Sequence, residues 1–141
     1  VTSQLNGWGT AAHTLADFGM DESTFGLTNG SASVAYLFAT KAGISKVGSY
    51  TGNGSTQTIN CGFTTGARFI LIKRTDSTGD WYLWDSARGM VAGTDPYLLV
   101  DTSAAEVNAN NVYSTTGGFQ IVGTGADINA SGGSYIYFAI A

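Results

Sequence analysis

The sequence has few charged residues. Asp, Glu, Lys and Arg make up 11% of its 141 residues, less than half of the roughly 25% found in a typical soluble domain. Six basic residues against ten acidic ones give a net charge of −4, so the positive surface that a phosphate backbone requires is missing. We therefore expect no nucleic-acid partner. Two interpretations of the low charge stay open: a partner covers much of the surface, or the surface is neutral and rich in hydroxyl groups.

Cysteine and histidine each occur once. Cys61 has no second cysteine with which to form a disulfide within the chain, and with His13 as the only imidazole we expect no zinc site. Cys61 is interpreted as a buried, unreactive thiol. Because catalysis by a nucleophile and a base needs His near Ser or Cys, this type of hydrolase is not expected. We predict no catalytic residue, no metal and no cofactor.

Long apolar runs are also missing. None approaches the roughly 20 residues that a membrane helix needs, and no charged segment followed by an apolar stretch indicates a signal peptide. We expect no membrane insertion. Because the first residue is Val1 and not Met, we interpret the chain as processed or as part of a longer protein.

Short alternating segments separated by turn residues dominate what is present. In residues 68–74, Phe69, Leu71 and Lys73 share one face of a predicted strand while Ile70 and Ile72 share the other. Clusters of Gly, Asn, Asp and Ser separate the candidate strands. This pattern predicts an all-β fold, an antiparallel jelly-roll-like β-sandwich of about seven to nine short strands. Weak helix signals occur at 9–20 and 102–109, and the other predicted strands are 33–39, 44–50, 56–61, 81–84, 97–101, 119–123 and 134–140.

The two ends of the chain resemble each other. NGSASVAYLFA at 29–39 aligns without a gap on NASGGSYIYFA at 129–139, although a short match in such a sequence can also arise by chance. The alignment predicts that residues 1–40 are the C-terminal part of a preceding module or an N-terminal arm, and that 41–141 are a complete β-sandwich module. The identical pairs are Asn29 and Asn129, Ser31 and Ser131, Phe38 and Phe138, and Ala39 and Ala139.

The segment RFILIKRTDSTGDWYLWDSARG, residues 68–89, predicts a hairpin with a cluster of aromatic residues. On its second strand Trp81 faces one way while Tyr82 and Trp84 face the other, so at least one Trp must enter the core. Which Trp is exposed stays open. Exposed rings beside carboxylates and amides would suit a sugar-binding surface, and the candidates for surface or ligand contact are Trp81, Trp84, Tyr82 and Tyr97.

The charged residues of this segment have structural interpretations. Asp76, Asp80 and Asp85 are the carboxylates that glycoside hydrolysis would need, but Asp76 and Asp80 bracket a turn, where Asp side chains bond the backbone. We predict turn roles for these two residues. Asp85 and Arg88 follow the strand three residues apart and are predicted to form a structural pair, because the guanidinium fork fits a carboxylate.

Four stretches in order, SYTGNGSTQTINCGF (49–63), ARFILIKRTDSTGDWYLWDSARG (67–89), PYLLVDTSAAE (96–106) and GGFQIVGTGADINASGGSYIYFAIA (117–141), carry a resemblance to a known family. Together they resemble a tandem β-rich module of structural and tail proteins of tailed bacteriophages, particularly marine ones. The resemblance covers 41–141, and residues 24–40 resemble the closing strand of a preceding copy. One departure is TTGA at 64–67, where the family usually carries a Pro.

The resemblance implies a virion component without a catalytic residue list. The function it implies is a tail fibre or appendage module, on the particle surface, for assembly and host-surface attachment. Its implied partners are other virion proteins, further copies of itself in a homo-oligomer with a trimer favoured by analogy, and a host-surface glycan. Two alternatives stay open: a capsid decoration protein that stabilises the shell, and a carbohydrate-binding module.

Overall fold

A computed structural model of the protein describes residues 36–141. In this range its regular secondary structure consists of eight β-strands and one short helix, which confirms the predicted all-β antiparallel sandwich. The elements, in chain order, are β1 (Ser45–Thr51), β2 (Gln57–Asn60), β3 (Phe69–Arg74), β4 (Trp81–Asp85), β5 (Tyr97–Leu99), β6 (Val112–Thr115), β7 (Gly118–Ile121), the short helix α1 (Ala126–Asn129) and β8 (Ser134–Ile140).

The strands form two antiparallel sheets. The large sheet has the order β1-β8-β3-β4-β5, and the small sheet has the order β2-β7-β6. The first strand pairs with the last, and the second pairs with the one before the last. This nested pairing is jelly-roll-like, whereas β3, β4 and β5 follow one another as a simple meander.

The core lies between the inner faces of the two sheets. Because successive side chains of a strand alternate between its faces, Ile70 and Ile72 of β3 are buried while their neighbours in the strand are only partly so. The small sheet contributes Phe119 and Ile121, both fully buried. The ring of Phe119 meets Tyr137 of β8 edge to face, with centroids 5.3 Å apart, and this contact joins the two sheets.

Asn129, at the end of α1, locks two turns together from a fully buried position. Its Oδ1 accepts hydrogen bonds from the backbone N–H of Asn53 at 3.0 Å and from Gln57 Nε2 at 2.7 Å. Its Nδ2 donates to the carbonyl oxygens of Ser55 and Gly123 at 2.7 and 2.9 Å. The TGNG turn after β1 and the NASGG turn before β8 are thus parts of one structural unit.

Glycine is required where these turns meet. A Cβ added to Gly52 would overlap the carbonyl oxygen of Ala130, and the backbones are held there by hydrogen bonds between Gly52 and Gly132 and between Gly52 and Gly133. The TGNG and NASGG motifs, which are part of the sequence resemblance, therefore have a structural explanation.

Three sequence predictions about elements need correction. Residues 36–39 are not a strand; the Ala39 carbonyl instead accepts from the Ser45 hydroxyl, and the Thr40 hydroxyl accepts from the Val47 N–H. Residues 102–109 are not helical. Val107 pairs instead with Tyr97, and Glu106 forms an ion pair with Arg88. The strand β6 was missed: of its four residues only Val112 is buried, so its alternation is weak. The predicted helix at 9–20 and residues 33–35 lie outside the described residues, and the division at residue 40 stays a prediction.

Candidate interaction surface

The outer face of the large sheet carries a continuous apolar row that crosses all of its strands. Val47 of β1 pairs with Phe138 of β8, Phe138 with Leu71 of β3, Leu71 with Leu83 of β4, and Leu83 with Leu98 of β5. We call these five residues the apolar row. Each of them alternates with core residues in its strand, so the row faces away from the core.

Half of the positions beside the apolar row are apolar. On one side lie Ser45, Ile140, Phe69 and Asp85, and on the other lie Ser49, Ile136, Lys73 and Trp81. The ring of Phe38 stacks on Phe138 with centroids 4.4 Å apart and is itself 52% exposed. Because a free antiparallel sheet usually turns polar residues outward, this face differs from an ordinary solvated one.

The outer face of the small sheet is different, because its central row is polar. Thr58 of β2 pairs with Gln120 of β7, which pairs with Tyr113 of β6. The side chains of this polar row bond one another: Gln120 Nε2 donates to Thr58 Oγ1 at 3.1 Å, and the Tyr113 hydroxyl donates to Gln120 Oε1. The polar row satisfies itself and needs no partner.

The chain itself covers part of each edge of the large sheet. At β1 the Thr40 hydroxyl accepts from the backbone N–H of Val47 at 3.0 Å and donates to its carbonyl, while Lys41 exchanges backbone hydrogen bonds with Ser45. At β5 Tyr97 exchanges two backbone hydrogen bonds with Val107. Since free strand edges are what recruits a further strand, this sheet meets a partner more readily with its face.

The four predicted contact aromatics are divided between the core and the surface. Trp84 is fully buried and Tyr82 is 9% exposed, so neither can contact a surface ligand, which corrects that prediction. Tyr97 packs against both rings from the same face of the sheet. Only Trp81 lies on the outer face, half-buried beside Lys73. Burial raises the pKa of Tyr82, and the nearby Asp127 raises it further.

The predicted pair of Asp85 and Arg88 is present and extends to a third residue. The Arg88 guanidinium bonds the Asp85 carboxylate, which also accepts from the Arg88 backbone N–H at 3.0 Å. Arg88 Nε lies 3.0 Å from the Glu106 carboxylate. The arginine thus ties the loop between β5 and β6 to the end of β4, which is a structural role.

The other two predicted turn carboxylates differ from each other. The Asp76 carboxylate accepts a hydrogen bond from Arg74 Nε at 2.8 Å, and this hydrogen bond lowers the pKa of Asp76. Arg74 also donates to the carbonyl of Ala126 at 2.9 Å, so the pair holds α1 against β3. No hydrogen bond of the Asp80 side chain is found among the described residues.

Asp95 is a buried carboxylate that the sequence reasoning missed. It accepts the backbone N–H of Asn111 at 2.8 Å and that of Val112 at 2.7 Å, so it holds the start of β6. Burial raises the pKa of Asp95, although these N–H groups and the nearby Trp84 indole act in the opposite direction. The indole N–H itself makes no hydrogen bond of ordinary geometry. The Asp-Pro dipeptide at 95–96 was a signal for a turn and gave no indication of this burial.

Within residues 36–141 no three His, Cys, Asp or Glu side chains are grouped so that they could hold a metal ion. Over the same range, no helix is both long and apolar enough to cross a membrane. Cys61 is buried, and burial raises the pKa of its thiol.

Comparison with known proteins gives one match. A family model described as "Domain of unknown function (DUF7483)" matches residues 1–141. No curated protein and no solved structure matches the chain.

Proposed function

The chain belongs to the DUF7483 family, and we propose that it is a non-catalytic structural module of a bacteriophage particle. Within the particle it serves as a tail fibre or appendage module in assembly and in attachment to the host surface. Two features support the proposal: the resemblance of residues 41–141 to phage tail modules, and the apolar row, which is suited to contact with another protein.

The apolar row is the observation that carries the proposal. Monomeric proteins rarely expose contiguous apolar patches beyond a few hundred Å², and larger ones usually mark contact sites. Here an apolar residue stands at the central position of every strand of the large sheet, and Phe38 and Phe69 extend the patch. Removal of such a face from water contributes a gross driving force of roughly 25 cal/mol per Å² of apolar surface, from which the entropy costs of association are subtracted.

The chemistry of the outer face favours a protein partner over a sugar. Sugar binding relies on an exposed ring together with polar groups that grip hydroxyls, whereas the row consists of aliphatic residues and one Phe. Trp81 is the remaining candidate of the predicted glycan contacts, since Tyr82 and Trp84 are in the core and Tyr97 packs against them from the inner face. Assembly is therefore the principal role that we propose for this face, and attachment to a host glycan is assigned to Trp81 alone.

Immunogold electron microscopy of particles from the virus that encodes the chain tests this function. An antibody against the folded protein is expected to label the tail or its appendages. Labelling of the shell would indicate the decoration protein instead, and purified particles that neither bind the antibody nor contain the chain by mass spectrometry would overturn the proposal. Particles without the gene product serve as the control.

A glycan array tests the attachment role separately. We expect binding that is lost in Trp81→Ala and kept in Val91→Ala, since Val91 is exposed and lies outside the large sheet. No binding by the wild-type chain, or equal binding by both variants, would remove attachment through Trp81 from the proposal while leaving assembly untouched.

A further inference from the structure

We infer that a second copy of this chain covers the apolar row, so that two large sheets pack face to face about a two-fold axis parallel to the row. This inference rests on the proposed function in one respect, namely that the apolar row is a contact surface. It goes further by naming the occupant and the geometry, and because the covered face includes Trp81, it makes glycan attachment through Trp81 a property of the monomer.

The partly covered edges of the large sheet favour contact of a second copy through its face. At the β1 edge, Thr40 and Lys41 form hydrogen bonds with the outward backbone groups of Val47 and Ser45, respectively. At the β5 edge, Val107 forms hydrogen bonds with those of Tyr97. Extension of the sheet by the β1 or β5 of another copy would have to displace these bonds. Face-to-face packing leaves them intact and buries only side chains.

The charges on the outer face fit a second copy in one orientation. Lys73 and Asp85 are the charged residues of the rows that flank the apolar row, and they lie on opposite sides of it, on the neighbouring strands β3 and β4. A two-fold axis along the row exchanges its two sides. It therefore brings Lys73 of one copy next to Asp85 of the other, diagonally across the interface.

The other in-plane axis is unfavourable. A two-fold axis along β3 would place Lys73 opposite Lys73 of the second copy, and like charges facing each other are destabilising. In the favourable orientation each residue of the apolar row meets its own counterpart, so apolar atoms contact apolar atoms along the row. Lys73 already bonds the carbonyl of Gly79 and Asp85 already bonds Arg88, but an ammonium group has three donors and a carboxylate accepts several bonds.

The size of the face predicts a weak dimer. Strands about 4.8 Å apart and outward rows about 6.8 Å apart give a face of roughly 24 by 20 Å. Two such faces bury on the order of 1,000 Å² in total, the lower limit for a specific interface. We therefore expect a dissociation constant in the micromolar range and a dimer that depends on concentration.

A single self-complementary patch favours a dimer over the trimer that the family resemblance implied. A ring of three built from head-to-tail contacts needs a second surface that complements the first. The small sheet presents the polar row instead.

Sedimentation velocity of the full chain across micromolar concentrations provides the test. The wild type is expected to shift from monomer to dimer. Leu71→Thr is expected to raise the dissociation constant at least about tenfold, and Val47→Thr, at the exposed end of the row, is a milder second variant that retains strand propensity. The matched control Val91→Thr makes the same chemical change outside the row and should dimerise as the wild type does. Circular dichroism confirms that each variant is folded.

The charges test the orientation of the axis. Lys73→Glu places a carboxylate next to Asp85 of the second copy and should weaken the dimer more than Lys73→Gln, while both variants lose the bond to Gly79. A monomer at every concentration, a trimer, or equal effects of the two Lys73 variants would overturn the inference. A monomeric chain in labelled particles would refute only the dimer, and a dimeric chain in unlabelled particles would refute only the proposed function.

Discussion

The outer faces of the two sheets show how the same strand pattern serves two purposes. In both sheets the inner positions are mostly apolar and form the core. Outward, the small sheet presents Thr58, Gln120 and Tyr113, which bond one another, whereas the large sheet presents the apolar row. The alternation of apolar and polar residues that normally defines a solvated sheet is kept in the small sheet and lost in the large one. This difference points to the large sheet as the side that meets a partner.

The largest effect is expected from the inner face of the large sheet. Trp84→Ala should lower the free energy of unfolding by about 3–5 kcal/mol, because the ring is fully buried and its loss leaves a cavity. Trp81→Ala, on the outer face of the same strand, should cost only about 1–2 kcal/mol in the monomer. Urea denaturation measures both. Equal costs would mean that the two faces of β4 do not differ as described.

The second effect concerns the turns that fix the two sheets. Asn129→Ala should cost about 3 kcal/mol, because it removes four hydrogen bonds and leaves the buried carbonyl of Gly123 without this partner. Asn60→Ala is the matched control: it loses one exposed bond to the Gly62 N–H and should cost less than about 1 kcal/mol. Thermal and urea unfolding should therefore distinguish the two variants clearly. A smaller loss of unfolding free energy for Asn129→Ala than for Asn60→Ala would refute the role of Asn129 in joining the two turns.

Alkaline pH tests the contact between the sheets. Burial raises the pKa of Tyr137 to about 12, with Cys61 contributing, whereas a tyrosine in the unfolded chain ionises near pH 10. The unfolded state therefore loses its proton first, and stability is expected to fall as the pH rises from about 10 to 12. Tyr137→Phe removes this part of the decline, so its unfolding free energy should fall less over that interval. Parallel pH profiles for the two proteins would contradict the assignment.

The smallest effect is expected at the end of β4. Arg88→Ala removes the contacts with Asp85 and Glu106 and should cost about 0.2–1 kcal/mol, as for other partly exposed ion pairs. Arg88→Lys keeps the charge but lacks the fork that reaches both carboxylates, so it should recover only part of the loss. Stability equal to the wild type in Arg88→Ala would show that the bridge to the β5–β6 loop contributes nothing.

The sequence predicted the fold class well because period-2 alternation is a local signal. In β3 the buried Ile70 and Ile72 follow directly from the pattern, and in β4 the alternation separated Trp81 from Trp84 without indicating which lay inside. The sequence did not predict β6, because Val112 is the only buried residue among its four. The helix expected at 102–109 failed because its Glu106 binds Arg88 of a distant segment, and a tertiary contact of that kind has no local signature.

The candidate surface was less predictable than the fold. The apolar row is assembled from strands far apart in the chain, so it emerges only when the register between them is known. Alternation in 68–74 already put Phe69 and Leu71 on one face with Lys73, which was the available signal. Asn129 and Asp95 were missed because burial of a polar side chain depends on backbone donors and acceptors brought in by other segments.

Hydroxyl-radical footprinting of the full chain at low and high micromolar concentration tests the central claim most directly, because it reads both outer faces in one experiment. The account predicts that oxidation of Leu71, Leu83 and Phe138 falls as the concentration rises, whereas oxidation of Tyr113 on the small sheet stays constant. Protection of Tyr113 with no protection of the apolar row would contradict it.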